Sequence, residues 1–255
     1  MIFRPLVLFF LSFSICEFLF ASVAGPLSAE ELLLIETRYS KLAQKSGFRI
    51  LTNPADLSAY SSRGDARLLL GDFLGAKKDY EKMIELKPEL EISHWRLGIV
   101  YFYLSDFGKA ARQFEIYHQY DDVDRENGIW RFMSQFQESG LEKAREGLLS
   151  YNHDDRPPYP WLYEMFKGKI KPFEVFQKIK AAGFPPAYEV RVLFHANLYV
   201  GIFLELTEGP TEETLRYLAN ATHNSYGRSS GTFMWQVARL HHSRILPSRR
   251  IHTIK

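Results

Sequence analysis

Cysteine is almost missing from this chain: Cys16 is the only one in 255 residues. A single thiol excludes an internal disulfide and a cysteine-rich zinc site. No His-Glu-x-x-His occurs. The eight histidines, at 94, 118, 153, 195, 223, 241, 242 and 252, include no pair four residues apart. That spacing is what sets two metal ligands on one helix face, so a helical metal site has no sequence support. Asp121, Asp122, Asp124 and Glu126 crowd together without the glycine and distant glutamate of a calcium loop, and a helix N-terminus accounts for them better. No glycine-rich phosphate cradle is present. Gly227-Arg228-Ser229-Ser230-Gly231 follows no strand, so it is read as a loop and not as a nucleophile turn. No segment alternates as a strand would. Catalytic residues, metal and cofactor are therefore all expected to be absent. The net charge of +2 gives no basis for a nucleic-acid partner.

Acidic residues are missing from the last stretch, where Arg239, Arg244, Arg249, Arg250 and Lys255 stand unopposed. A solvated tail is one reading and contact with an anionic membrane or polymer is the other. At the opposite end, residues 1–24 read as an export signal. Arg4 precedes the apolar run Leu6 to Cys16, and Ser22-Val23-Ala24 forms a small-x-small cleavage site before Gly25. The expectation is an exported chain, periplasmic or secreted. The alternatives are an uncleaved apolar anchor that holds the chain at a membrane, or a lipidated Cys16.

What the chain does have is a period. Ala76, Ala110 and Ala144 stand thirty-four residues apart. Tyr80, Phe114 and Leu148 follow each by four, and Met83, Tyr117 and Tyr151 by seven. Gly71-Asp72-Phe73 and Ser105-Asp106-Phe107 are near copies at the same interval, and Gly64 and Gly98 match likewise. A small residue lets two helices approach and a large one fills the space beside it. The period divides the chain into a lead-in helix (25–56), three units (57–152), an irregular proline-rich helical segment (153–184), a degenerate unit (185–224), and a capping helix with a basic tail (225–255). The third unit lacks the glycine, since Phe132 takes its place, and keeps Ala144, Leu148 and Tyr151 on its second helix. In the degenerate unit Gly201 stands where Gly64 and Gly98 do, and Thr211 is a candidate N-cap.

A thirty-four-residue helix–turn–helix unit ending near a proline such as Pro88 resembles the tetratricopeptide repeat (TPR) family over residues 57–222. The resemblance implies an all-α fold: a TPR-like α-solenoid of antiparallel helix pairs with an irregular middle and a C-terminal capping helix. The order of parts also resembles exported bacterial TPR lipoproteins of the new-lipoprotein-I type. That likeness is carried by Gly128-Ile129-Trp130, by Trp161-Leu162-Tyr163-Glu164-Met165-Phe166-Lys167-Gly168, and by Tyr199-Val200-Gly201. It implies a non-enzymatic envelope adaptor for proteases or cell-wall enzymes, often dimeric.

In such an array the first helix of each pair lines a groove. The places at i, i+3, i+4 and i+7 nominate Ile92, Trp95, Ile99, Phe102 and Tyr103, then Ile129, Met133 and Phe136, as a groove for other proteins or peptides. Aromatic anchors are typical interface hot spots. A neighbouring helix or a second copy covering the same face is the competing reading, a homodimer in the latter case. Two other functions stay open. One is a hydrolase or metal enzyme with its site in the irregular middle segment; the other is a purely structural homo-oligomer.

Overall fold

The computed structural model describes residues 27–246, and these are helices joined by short turns, with no strand among them. Residues 1–24, read above as an export signal and including Cys16, lie outside the described residues, as do Arg249, Arg250 and Lys255. The fold is an all-α, TPR-like solenoid. Helix α1 (Ala29–Thr52) leads in, and its start is fixed by a capping box between Ser28 and Glu31. Helices α2 (Leu57–Leu70) and α3 (Phe73–Leu86) form the first pair. After a 3-10 turn at Pro88–Ser93, α4 (Trp95–Tyr103) and α5 (Phe107–His118) form the second.

The period has a visible cause. An added Cβ on Gly64 would meet the Tyr80 ring at 2.5 Å, and one on Gly98 would meet the Phe114 ring at 2.7 Å. Neither site has room for a side chain, so each glycine–aromatic pair fixes how closely its two helices lie. The near-copied turns also match. Gly71 is left-handed at φ 83°, and Ser105, one period later, is left-handed at φ 61°. Asp72 then caps α3 through the Gly75 amide. Buried Asp79 locks the first pair, accepting from Arg63 at 2.7 Å and from Arg67 at 2.7 Å.

The third unit departs from the pattern. Helix α6 (Arg125–Glu146) runs as one element bent at Gly140, where φ is 83°. Its second leg stops at Glu146, so Leu148 and Tyr151 are not on a second helix as the period implied. They lie in the irregular stretch that follows, where Tyr151 meets His118 and Tyr163 edge-on. The close approach survives one turn early: a Cβ on Gly128 would meet the Tyr151 hydroxyl at 2.6 Å. Phe132 instead packs against Phe166 at 4.9 Å.

The irregular segment holds α7 (Tyr159–Phe166) and α8 (Pro172–Ala182). Helix α9 (Pro186–Glu208) and α10 (Glu212–Thr222, capped by Thr211) make the degenerate pair, with Gly201 against Leu218. Helix α9 is long and apolar enough to cross a membrane, but most of it is buried within this fold. The glycine–serine stretch near 227 is helical, not a loop: α11 (Ser225–Ser230) is capped by Asn224. Its six residues form a single turn tied to the lead-in helix by the Arg228–Glu31 ion pair. Helix α12 (Phe233–Ile245) closes the fold.

Two of the basic residues expected in a free tail are engaged by the fold, one buried and one at the surface. Arg239 donates to the Leu69 carbonyl at 2.6 Å and is buried. Arg244 stacks on the rings of Phe73 and Tyr103.

Candidate functional site

The face nominated as an open groove is largely filled by the chain itself. Ile99, Phe102, Tyr103, Ile129 and Met133 are buried. The cause is the return of α9 and α12 across the inner side. Tyr103 hydrogen-bonds His241 of α12 at 3.2 Å, and Trp130 of α6 donates to Tyr199 of α9 at 3.2 Å. Phe102 packs edge-on to Trp130 at 5.4 Å. Phe136 is half-buried beside Phe132. Ile92 is 37% exposed in the 3-10 turn, away from the others. Six of these seven residues are buried or half-buried and Ile92 is exposed apart from them, so they form no continuous open groove; Phe102 and Tyr103 reach only a small cavity of about 230 Å³ beside His241 and Arg244.

Trp95 is the exception. It opens α4 and forms one wall of a larger pocket of about 300 Å³, with Phe233 of α12 edge-on to it at 5.0 Å. Trp130, Tyr117 and Tyr226 complete the aromatic lining. The polar lining comes from Asp124, Glu126 and Asn127 at the start of α6, Arg156 from the irregular segment, and Arg191 and His195 from α9. The pocket therefore joins the second unit, the third unit, the irregular middle and the closing helices.

The α6 N-terminus supplies its charge. Asp124 caps the helix through the Glu126 amide at 3.0 Å, as the acidic cluster implied. Glu126 points inward, its side chain 13% exposed. Tyr199 donates to its carboxyl, and Arg156 lies 3.4 Å away. Burial, followed by the negative charge of Asp124, pushes the Glu126 carboxyl up to about 7. Arg156 is shared among Asp124, Asp155 and Glu126, and its guanidinium lies over the Tyr159 ring at 4.5 Å. Behind Glu126, the fully buried Tyr159 hydroxyl contacts His195 Nδ1 at 2.8 Å. Burial, with Arg156 and Arg191 nearby, lowers His195 to about 3 and keeps it neutral. Arg191 stands exposed at the rim, over the Tyr226 ring, with no carboxylate paired to it among the described residues.

Sequence reasoning named Trp95 and missed the rest. Glu126 and Asp124 were read only as helix-start acids, and Arg156 and Tyr159 only as part of an irregular segment. Among the described residues, no three His, Cys, Asp or Glu side chains gather as a metal set.

No family model matches the chain. Over 117 residues, 45% of its length, it is 29% identical to Hsp70-Hsp90 organizing protein 3 of Arabidopsis thaliana and 30% identical to Hsp70-Hsp90 organizing protein of Triticum aestivum. Hsp70-Hsp90 organizing protein 2 of Arabidopsis thaliana is 29% identical over the same length. The chain spans about a fifth of the length of these curated relatives, at 20%, 19% and 20%. The likeness supports a TPR-type repeat.

Proposed function

We propose that this chain is a non-enzymatic scaffold that binds other proteins, seating a segment of a partner in the pocket between α4, α6 and α9. The observation that carries this reading is the pocket lining. Rigid aromatic walls (Trp95, Trp130, Phe233) surround a few polar groups with free hydrogen-bonding capacity, the usual make-up of a site that anchors a peptide side chain. The relatives are named for organising two other proteins, and a holding role of the same general kind fits a solenoid. The pocket replaces the longer groove, because the groove is occupied by the chain's own helices.

The export reading enters only through residues 1–24. With it, the scaffold serves in the cell envelope or outside the cell. Intact-mass measurement of the protein recovered from its host tests this: a full-length mass in the soluble cell fraction refutes export.

The binding experiment is peptide-library panning on the full chain, counter-selected on Trp95→Ala and Arg191→Ala. Peptides enriched on the native chain and released by both variants, with helicity unchanged by circular dichroism, support the reading. Enrichment that persists on both variants, or no enrichment at all, overturns it.

A further inference from the structure

Helix α1 has two faces, and one of them meets no other element among the described residues. Tyr39, Ser46 and Ile50 are buried on the side that packs against α2, with Leu42 and Ala43 beside them. At ~3.6 residues per turn, the opposite side carries Leu33, Leu34, Lys41, Phe48 and Leu51. Its four apolar side chains are 62% to 78% exposed. A helix that ends a stacked array normally turns a polar face outward, because no further unit covers it. Here that face keeps three leucines and a phenylalanine in water.

The charges on this face are ordered too. Arg38, Lys41 and Lys45 run along one edge, all exposed, and no carboxylate is paired with them among the described residues. Arg49, further along, is held by Asp56, and Glu31 is held by Arg228. Glu36 lies on the opposite edge, close enough to Arg239 to act on its charge. Glu30 belongs to the first turn, before the apolar stripe begins. Between Leu34 and Phe48 the face is therefore cationic, and its apolar ends, Leu33 and Leu51, stand about 27 Å apart along the axis. The middle is a shallow depression over Thr37, Ser40 and Gln44. A protein anchor sits in an enclosed, aromatic-lined pocket. A long, flat stripe of apolar and cationic side chains instead matches the boundary between lipid headgroups and acyl chains.

We propose that the outer face of α1 lies on an anionic lipid bilayer. Leu33, Leu34, Phe48 and Leu51 enter the headgroup–acyl boundary. Arg38, Lys41 and Lys45 extend their apolar stems alongside and set their charges on lipid phosphates. The position of the helix in the chain favours the same partner. Only residues 25–28 separate Ala24 from α1, and the apolar run Leu6 to Cys16 lies just before them. Four residues span at most about 14 Å. With the run retained as an anchor, α1 is therefore held at the bilayer surface.

A polarity-sensitive nitrobenzoxadiazole label reads this contact on the full chain. Cys16→Ser removes the native thiol, and the label is placed at Phe48→Cys, at Leu34→Cys or, as a control, at Phe173→Cys, an exposed aromatic position on α8. The vesicles are phosphatidylcholine alone, or an equal mixture of phosphatidylcholine and phosphatidylglycerol. On the anionic vesicles the emission at positions 34 and 48 should shift to the blue and brighten several-fold, while position 173 stays as in water. Phosphatidylcholine alone should change little, and ~1 M salt should weaken the response by screening. A triple variant, Arg38→Gln with Lys41→Gln and Lys45→Gln, alters only exposed side chains and should lose most of the response at position 48. No response at positions 34 and 48 on anionic vesicles overturns the proposal. So does an equal response on phosphatidylcholine alone, in the triple variant or at position 173. A label at position 48 that is already blue-shifted without vesicles also overturns it: reversal on dilution then identifies a second copy on this face, and indifference to dilution identifies residues 1–24.

Discussion

Four histidines are buried in this fold with their rings held neutral, and together they should make it acid-labile well above the carboxylate range. His94, His195, His241 and His242 are each 9% exposed or less. Burial lowers His94 and His242 to about 4, and His195 and His241 to about 3. A histidine whose folded pKa is depressed stabilises the fold above its unfolded pKa, ~6.5, and that stability is lost as pH falls through the unfolded value. Between pH 7.5 and pH 5 each ring loses about 2 kcal/mol, or about 8 kcal/mol for four, at ~1.4 kcal/mol per unit.

Glu126 works the other way. Its folded pKa, about 7, is raised, so the folded state binds its proton more tightly than the unfolded chain does. The fold therefore gains about 2 kcal/mol from it over the same fall in pH. Asp65 and Asp124 are also raised and add in the same direction. The net loss, about 5 kcal/mol, approaches the whole stability of a typical domain, ~5–15 kcal/mol. Thermal melts followed by circular dichroism at pH 7.5, 6.0 and 5.0 read it, and the melting temperature should fall by on the order of 15 °C. His94→Phe separates the cause from general acid effects. Both ring nitrogens of His94 lack partners and the ring packs on Tyr80, so this variant should remove about 2 kcal/mol, roughly two-fifths, of the net pH dependence. A melting temperature that changes by only a few degrees, or a His94→Phe profile parallel to the native one, refutes the reasoning.

Other outcomes follow from packing and charge. Gly98→Ala should cost about 1–3 kcal/mol in urea unfolding, because its Cβ meets the Phe114 ring at 2.7 Å. Gly140→Ala meets nothing within 4 Å, yet its backbone, at φ 83° and ψ 178°, is open essentially to glycine alone and should cost about 1–3 kcal/mol; a Gly140→Asn variant that escapes the penalty would count against the explanation. Asp79→Ala should cost about 3–5 kcal/mol, since it leaves Arg63 and Arg67 facing a buried gap. Tyr199→Phe removes a donor to the Glu126 carboxylate, so the Glu126 midpoint, read by carbon-13 NMR, should move upward from about 7.

The repeat was legible because its cause is local and recurs. A glycine on one helix and an aromatic on the next leave the same mark wherever two helices meet closely, as at Gly64–Tyr80 and Gly98–Phe114. The third unit misled because the contact shifted by one turn to Gly128, and a period count sees only Phe132. Thr211 and Asp124 were readable as caps, because capping uses a side chain next to the helix it starts. The site was not readable in the same way. Glu126, Arg156 and His195 come from three elements, and no spacing relates them. The nominated residues failed for a related reason: helical periodicity finds the inner face, but α9 and α12, far away in sequence, decide whether that face is open. Arg239 shows the same limit, since a run without acids looks like a solvated tail until Leu69 supplies its carbonyl.

That Arg239–Leu69 contact joins the last helix to the second across 170 residues. A stacked array in which each unit touches only its neighbours can fray from either end, one unit at a time. Here the ends are latched, and α12 lies under the same aromatic rings of α3 and α4 that stack on Arg244. Loosening the last helix therefore loosens the first pair too. The array closes on itself at a seam, where α12 meets α2 through Arg239 and Leu69.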